Sequence, residues 1–428
     1  MGTHALTIKR ASAMPAPTWH FLKMNDTQIE IPEGLAVAPS VKVSEPWRAR
    51  GAADEFDNAL ADAQEEWEKL HPEPTPQERE ELEAFMRAEA DATYGGTAQS
   101  NYQIGADALE EARSLAVAFE HGVGEEAAAY LRFAAGERVV VQTDPGQSVE
   151  AQVIVSAVPD ALSVAAIDVV AGRNSSVSLS IVVDSPDVPA SAGASGFAGT
   201  TVRVFADADA RVSIVRTQTL DLGFTDIDDM GLFAHDRARI DVRQTVLGAG
   251  STFTGLAGDL RGDSANIVVD TRYLGHADQE HDFNYVLRHH GTRTECNLGA
   301  NGVLAGKSSK TLRGTIDLIR GAKGAQGSEN ETVLLVDEGV KNKTVPVILC
   351  NEDDVAGNHG ATIGHIREEQ LLYLQSRGLS KDDAERMFVG AMIEQAAIDA
   401  PDEESRAGVL RLGETVIPGF AELFEEEA

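Results

Sequence analysis

Cysteine is scarce in this chain, since only Cys296 and Cys350 occur among its 428 residues. Two thiols cannot form the disulfide framework of a small secreted protein, and no Cys-x-x-Cys metal motif can be built from them. The sequence therefore predicts a protein of a reducing compartment, and we expect it in the cytoplasm.

Long apolar runs and an excess of positive charge are also missing. No run approaches the roughly 18 residues of a membrane-spanning helix, and residues 1–10 lack the apolar core of a secretion signal. Acidic residues outnumber basic ones by 69 to 36, which gives a net charge of −33. Because this charge repels backbone phosphates, we expect neither nucleic acid nor a membrane as partner. We interpret the acid-rich stretch 54–91 as a solvated helix face.

The first of three regions, residues 1–136, reads as mostly helical after an irregular start. The Ala/Glu-rich segment 54–70 carries apolar residues at helical spacing. Thr75 and Pro76 suit the cap and the first position of a second helix. A third helical stretch covers 107–119. The sequence predicts a helical leader ahead of the next region.

The second region, residues 137–366, alternates apolar and polar residues over short runs, as in Val177–Ile181 and Ile240–Val242. Period two with β-branched side chains predicts strands that each bury one face. Many short strands without long helices between them are typical of a sandwich, a barrel or a parallel β-helix. Tight polar corners at Gly172–Ser176 and Asp207–Ala210 favour the β-helix, in which successive turns stack.

The third region, residues 367–428, returns to helical patterns. Gly378 suits the left-handed residue that closes a first helix. Ser380–Asp383 resembles a capping box that starts a second. The apolar residues along the two helices that bear on function are Leu371, Leu374, Met387, Phe388 and Met392.

Catalytic motifs remain incomplete. Leu304–Ser308 resembles a phosphate-binding loop, but Asn301 stands where the motif requires glycine, and 310–316 looks like a strand rather than a helix. Gly321–Gly327 lacks the surrounding βαβ unit of a dinucleotide site. No Gly-x-Ser-x-Gly elbow accompanies a Ser-His-Asp triad. We therefore expect a protein that is not an enzyme.

Histidines gather in the last part of the β region, together with both cysteines. Imidazole and thiolate are good ligands for iron and zinc. No two of these histidines have the spacing of a zinc protease motif, and for each one alone a packed or surface role is the ordinary interpretation. The six histidines are His276, His281, His289, His290, His359 and His365.

One pair of motifs is more specific. His359–Gly364 followed by Glu369–Leu379 closely resembles the carboxy-terminal signature of the SufB/SufD family, the scaffold subunits of the SUF iron–sulfur cluster assembly system. The resemblance is strong from His281 to Met392. Supporting matches are His290-Gly291, Gly314–Ile316, Gly321–Gly324, Pro346 and Ala13–Trp19.

The resemblance implies a fold and partners. The fold is a right-handed parallel β-helix core over 137–366, flanked by the helical regions 1–136 and 367–428. The core pairs with a SufB-like subunit through the β-helices, and the carboxy-terminal helices dock SufC, an ABC-type ATPase. Within those helices the partner-binding residues are then Leu371, Leu374, Met387, Phe388 and Met392. The resemblance leaves open whether the chain forms a homodimer in isolation.

The subunit type follows from what the resembling stretch lacks. SufB-like chains carry a cysteine within the segment that corresponds to 328–332, and none stands here. His359 matches the histidine of the SufD branch, which implies a metal and cofactor ligand. Some SufD chains also have a cysteine where this chain has Gly357. We expect no cofactor held stably by the isolated chain and a transient iron–sulfur cluster at the subunit interface. The alternatives are a SufB-like subunit holding the cluster itself and a cytoplasmic β-helix enzyme of carbohydrate or acyl transfer.

Overall fold

The computed structural model describes residues 6–16, 23–31, 35–38, 41–44, 119–135, 138–185 and 195–420. The chain divides into two units, one of Met1–Gly51 with Glu120–Ala428 and one of Ala52–Phe119. The helices expected over 54–70, after Thr75 and over 107–119 lie outside the described residues, apart from residue 119. Every strand and helix that the structure describes belongs to the first unit.

A hairpin opens this unit, where the sequence predicts an irregular start. Strand β1 (Leu6–Ala11) pairs antiparallel with β2 (Thr27–Ile31). The hairpin forms because Ile29 and Ile31 alternate with polar residues and bury their side chains together with Ile8. Two short strands follow, β3 (Ala36–Val37) and β4 (Val41–Val43), and then helix α1 (Glu125–Ala135).

Sixteen further strands build the main body of the molecule. They are β5 (Arg138–Thr143), β6 (Ser148–Ser156), β7 (Ala161–Ala171), β8 (Ser176–Asp184), β9 (Gly196–Ala206), β10 (Arg211–Thr219), β11 (Phe224–Ala234), β12 (Arg239–Val246), β13 (Ser251–Leu260), β14 (Asn266–Gly275), β15 (Glu280–His289), β16 (Glu295–Leu304), β17 (Ser309–Leu318), β18 (Gln326–Leu335), β19 (Lys341–Cys350) and β20 (Ala356–His365).

These strands, together with β3 and β4, form two nine-stranded sheets in which every second strand pairs. Even-numbered strands from β6 to β20 run parallel in one sheet, and odd-numbered strands from β7 to β19 run parallel in the other. The chain therefore coils through about 8 turns, and the predicted parallel β-helix is confirmed. Apolar residues such as Val153, Ile181 and Ile240 fill its interior.

The polar corners explain how the turns stack. A residue with positive φ recurs at the same corner of successive turns, and its N–H donates to a carbonyl of the next turn, as Asn174 N does to Ala208 O at 3.0 Å and Arg237 N does to Asp263 O at 2.9 Å. Each corner thus extends the backbone ladder beyond the strands. The corner residues are Asn174, Asp209, Arg237, Ser264, Arg293 and Gly324.

Three helices follow the last strand: α2 (Glu368–Ser376), α3 (Lys381–Ile398) and α4 (Glu403–Val416). The side chain and backbone of Ser380 exchange hydrogen bonds with Asp383, so the predicted capping box is present. Helices α3 and α4 pack Ile393 and Val409 against Leu247 and neighbouring residues on the flank of the even-numbered sheet. By contrast, α2 has no buried residue. None of the described helices combines the length and apolarity that crossing a membrane requires.

Candidate functional site

His359 lies on β20, the last strand of its sheet. Its register partner on β18 is Glu329, which in turn pairs with Leu298 on β16. Register partners in parallel strands share one face of the sheet, and Glu329 and Leu298 are buried in the β-helix interior. His359 therefore continues an interior column, yet it is exposed because no later described strand covers it.

The neighbours of His359 on that inner face are small. Alternation along β20 places Gly357 and Ala361 on the same side as His359. All three residues are exposed, whereas their partners Gly327, Glu329 and Glu331 on the preceding strand are buried. The last turn of the β-helix thus presents an imidazole over an open surface.

A buried carboxyl group lies directly beneath His359. Glu329 is only 4% exposed, and its Oε2 finds no hydrogen-bond partner within the described part of the chain. Burial raises the pKa of Glu329 to about 8, and the neighbouring Glu331 adds to the increase, while Lys310 opposes it.

Lys310 is already engaged by another carboxylate. Its ammonium donates to Glu331 Oε1, inside the β-helix, where both side chains are almost fully buried. The hydroxyls of Tyr273 and Thr344 also donate to Glu331, over 3.1 and 2.5 Å. Both carboxylate oxygens of Glu331 therefore accept hydrogen bonds from neighbouring side chains, whereas Oε2 of Glu329 accepts none within the described residues.

A second polar cluster lies deeper in the interior. The Arg216 guanidinium donates to both oxygens of Asp226, at 2.9 and 2.8 Å, and its Nε lies 3.1 Å from Asp228 Oδ1. Gln244 and Thr200 donate to Asp228 as well. Neither cluster is evident from the sequence, because strand alternation assigns such residues to an inner face without revealing which of them meet. A charged residue at an inward position of the pattern is the one available signal.

The other late histidines do not converge on His359. Burial lowers the pKa values of His276, His281 and His289 to about 4 in each case. His290 Nε2 lies 3.1 Å from Asp259 Oδ1, and His365 Nδ1 lies 3.1 Å from the Leu335 carbonyl oxygen. In the ranges that the structure describes, no group of three or more His, Cys, Asp or Glu side chains is arranged to hold a metal ion.

The two cysteines have opposite environments. Cys296 is buried, its Sγ lies 3.1 Å from His289 Nε2, and burial raises the pKa of its thiol to about 12. Thr294 Oγ1 lies 2.7 Å from the other nitrogen of His289. Cys350 is exposed at the end of β19. Both thiols are free.

The stretch that resembles a phosphate-binding loop is a strand connection. Strand β16 ends at Leu304 and β17 begins at Ser309, so no helix follows Gly306-Lys307. The predicted strand after this loop is confirmed, and no helix amino terminus is present there to hold a phosphate.

The five apolar residues assigned to partner binding lie on α2 and α3. Met387 is 53% exposed. The other four residues are half-buried: Leu371, Leu374, Phe388 and Met392. Met392 packs against the cluster beneath α3. Leu372 and Tyr373 are each 58% exposed, and the sequence pattern did not single them out for the partner surface. We call these seven residues the helical docking surface.

The fold and the site together define a β-helix scaffold protein that presents the imidazole of His359 at an open end. A family model described as "SUF system FeS cluster assembly, SufBD core domain" matches residues 153–392, more than half of the chain. The chain therefore belongs to the SufBD family of the SUF iron–sulfur cluster assembly system.

Individual relatives match over shorter segments. The iron–sulfur cluster assembly protein SufD of Bacillus subtilis is 27% identical over 166 residues, 39% of this chain and 38% of the relative. A SufBD family protein of Mycobacterium tuberculosis is 35% identical over 136 residues, 32% of this chain and 16% of the relative. SufB of Bacillus subtilis is 27% identical over 144 residues, 34% of this chain and 31% of the relative.

In each of these alignments the chain covers less than two thirds of the relative's length. Both SufD-named and SufB-named proteins occur among the matches. The comparisons thus establish the family and leave the subunit type to the residues of the site.

Proposed function

We propose that this chain is the SufD-type scaffold subunit of a cytoplasmic iron–sulfur cluster assembly complex, and that it is not itself an enzyme. The observation that carries the proposal is the position of His359, exposed on the inner face of the last β-helix turn. Residues 328–332 of the same end contain no thiol. A chain with one ligand at its open end needs a partner to complete a cluster site.

The chemistry of His359 suits this role. A neutral imidazole donates a nitrogen lone pair to iron, and thiolates or carboxylates of the partner supply the other ligands. The cluster is the cargo of the complex, held transiently at the interface, and the isolated chain does not hold it stably. Because a β-helix is rigid, it presents the ligand with little reorganisation.

The partner at this end is a SufB-like subunit. Strands β19 and β20 are the last described strands of the two sheets, so their outer edges offer backbone N–H and C=O groups for pairing. Ile363, on the inner face of β20, is 47% exposed and gains burial when a partner covers the turn. In the isolated chain the same edges are free to pair with a second copy, and the proposal leaves open whether a homodimer forms.

SufC, the ABC-type ATPase, docks on the helical docking surface. Helix α2 has no buried residue but carries Leu372 and Tyr373 at 58% exposure. A short helix without a fully buried residue is marginal in water. Contact with the ATPase supplies the missing burial.

Coexpression of the tagged chain with an untagged SufB-like subunit and SufC tests the proposal. We expect the three chains to copurify in a stable complex through gel filtration. Ile363→Asp should remove the SufB-like subunit and spare SufC, because it places a charge in the β-helix interface only. Purification of the tagged chain without either partner would contradict the proposal.

A further inference from the structure

We propose that Glu329 is the second protein ligand of the site at His359, so that this chain alone offers a nitrogen and an oxygen donor to one ferrous ion. The inference rests on the proposed function of His359 and extends it to a residue that neither the signature motifs nor the family assignment identifies.

The register brings the two groups together. Glu329 and His359 are direct partners on adjacent parallel strands, whose spacing is about 4.8 Å. Both occupy the inner-face column that continues from Leu298. Glu329 is the last buried residue in this row of register partners, and His359 is the exposed residue that follows it. The two side chains therefore start from neighbouring positions on the same face at the carboxy-terminal mouth of the β-helix.

The polar environment leaves Glu329 available. Its Oε2 lacks a hydrogen-bond partner within the described residues, although the side chain belongs to a residue that is only 4% exposed. Lys310, the cation that acts on it, donates to Glu331 instead. The other titratable groups that act on or face it are Glu331, the Cys296 thiol and His359. A buried carboxyl oxygen without a hydrogen bond costs stability, on the order of 1–3 kcal/mol, and such costs concentrate at functional sites.

Small residues border both side chains. A Cβ atom on Gly314, in the facing sheet, would overlap the Glu329 carboxyl group, so glycine is what allows the carboxyl group to lie there. On β20, Gly357 and Ala361 flank His359. Imidazole nitrogen and carboxylate oxygen are suitable ligands for ferrous iron.

Anaerobic calorimetric titration of the full-length chain with Fe²⁺ tests the site. We expect one ion per chain, and a rise in Kd of at least about tenfold in both Glu329→Gln and His359→Ala, a loss typical of metal sites. Glu338→Gln is the matched control: it removes a carboxylate from the turn that follows β18 and should leave the Kd unchanged. Thermal unfolding without metal is the second readout. Glu329→Gln should unfold close to the wild-type temperature, because the amide has nearly the same size and shape as the carboxyl group.

The outcomes separate the two proposals. Wild-type affinity in Glu329→Gln, with lost affinity in His359→Ala, overturns the role of Glu329 and leaves that of His359 intact. Lost affinity in Glu329→Gln with wild-type affinity in His359→Ala overturns the two-ligand site and the proposed function of His359. A lower unfolding temperature of Glu329→Gln with unchanged Kd identifies a structural residue and also overturns the proposal. If Glu329→Gln does not fold, Glu329→Asp replaces it as the test. This variant keeps the carboxyl group but shortens the side chain by one methylene, and it should still weaken Fe²⁺ binding.

Discussion

His359 carries the proposed function at the scale of single residues, and its exposure makes it testable. The variant His359→Ala removes the imidazole donor from an exposed position, where substitutions change stability by about 0.5 kcal/mol or less. Loss of a metal ligand or its supporting shell commonly costs about 10- to 100-fold. We therefore expect normal assembly with the partners and a strongly reduced cluster yield, measured as iron–sulfur absorbance of the reconstituted complex.

His365→Ala is the matched control for this variant. His365 lies on the same strand and is also exposed, but it contacts only its neighbouring strand through the Leu335 carbonyl oxygen in the structure described. Its loss should leave cluster yield unchanged. A His359→Ala complex that reconstitutes at the wild-type rate, or that dissociates, would show that His359 is not a ligand.

The two thiols differ sharply in predicted reactivity. The thiolate is the reactive form, and burial holds the pKa of Cys296 at about 12, so this residue stays a neutral thiol at neutral pH. Cys350 is exposed. Titration of the native chain with a thiol-specific disulfide reagent should therefore modify about one thiol rapidly, and both only after unfolding in denaturant. Rapid modification that survives in Cys350→Ala would mean that Cys296 is accessible.

At the scale of elements, the interior of the β-helix contains ionisable groups that make its stability depend on pH. Burial raises the pKa of Asp228 from its ordinary 3.8 to about 6 in the folded state, against the attraction of Arg216. A raised folded-state pKa means that the protonated form favours folding, so this contribution is full below about pH 4 and is lost as pH rises through about 6. Between about pH 5 and pH 7 the free energy of unfolding decreases by an amount on the order of 1 kcal/mol. Both pH values lie above the sequence pI of 4.6.

The variant Asp228→Asn isolates this effect because it cannot ionise. The difference in unfolding free energy between variant and wild type should shift in favour of the variant by about 1 kcal/mol from about pH 5 to pH 7. Urea unfolding at both pH values measures it. Asp241→Asn, on the exposed face of the neighbouring strand β12, serves as the control and should show no such shift. A parallel pH dependence of wild type and Asp228→Asn would contradict the raised pKa.

The carboxy-terminal helices divide into a packed part and an exposed part. Helices α3 and α4 cover Leu247 and Leu274 of the β-helix, and Arg411 forms an ion pair with Asp184. Truncation before α2 would therefore expose core residues, whereas a point variant leaves them covered. Met387→Asp places a charge on the helical docking surface at a residue that is 53% exposed.

We expect Met387→Asp to weaken SufC binding by at least about tenfold, since a buried unpaired charge at an interface core is costly. The unfolding temperature should stay near that of the wild type. Binding is measured by surface plasmon resonance with immobilised SufC. Leu222→Asp, at a β-helix corner where the side chain is 43% exposed, is the control and should bind normally. Unchanged affinity of Met387→Asp would place the ATPase elsewhere.

The sequence predicts well which face of a strand is buried, and it predicts poorly which buried side chains contact one another. Alternation in Val177–Ile181 predicts strands with one buried face, and polar corners such as Asp207–Ala210 favour the β-helix, because both depend on neighbours along the chain. The choice of the β-helix over a sandwich or a barrel comes from the family resemblance. The Glu329–His359 pairing depends instead on a register across 30 residues, which a one-residue change in a corner would abolish. The hairpin of β1 and β2 was missed for a related reason, since 15 residues that include Pro15 and Pro17 separate its strands.

At the scale of the whole molecule, the β-helix holds the imidazole of His359 at one end, and the helical docking surface lies on the helices that follow the last strand. In the proposed complex the ATPase and the cluster-bearing interface therefore contact the same rigid body, which can pass a displacement from the helices to the open turn. The isolated chain provides the reference state for that coupling. Its own ligands at the open end are His359 and, by our inference, Glu329.

Two protein ligands without a thiol beside them can hold a single iron ion but cannot retain an iron–sulfur cluster, whose irons prefer thiolate. After anaerobic incubation with iron, sulfide and reductant followed by gel filtration, the isolated chain should be colourless, with no visible iron–sulfur absorbance band. The same treatment of its complex with the SufB-like subunit should yield a brown protein, and Cys350→Ala in the complex should be equally brown if the exposed thiol takes no part. A cluster that stays with the isolated chain through gel filtration would identify it as a SufB-type subunit and overturn the assignment.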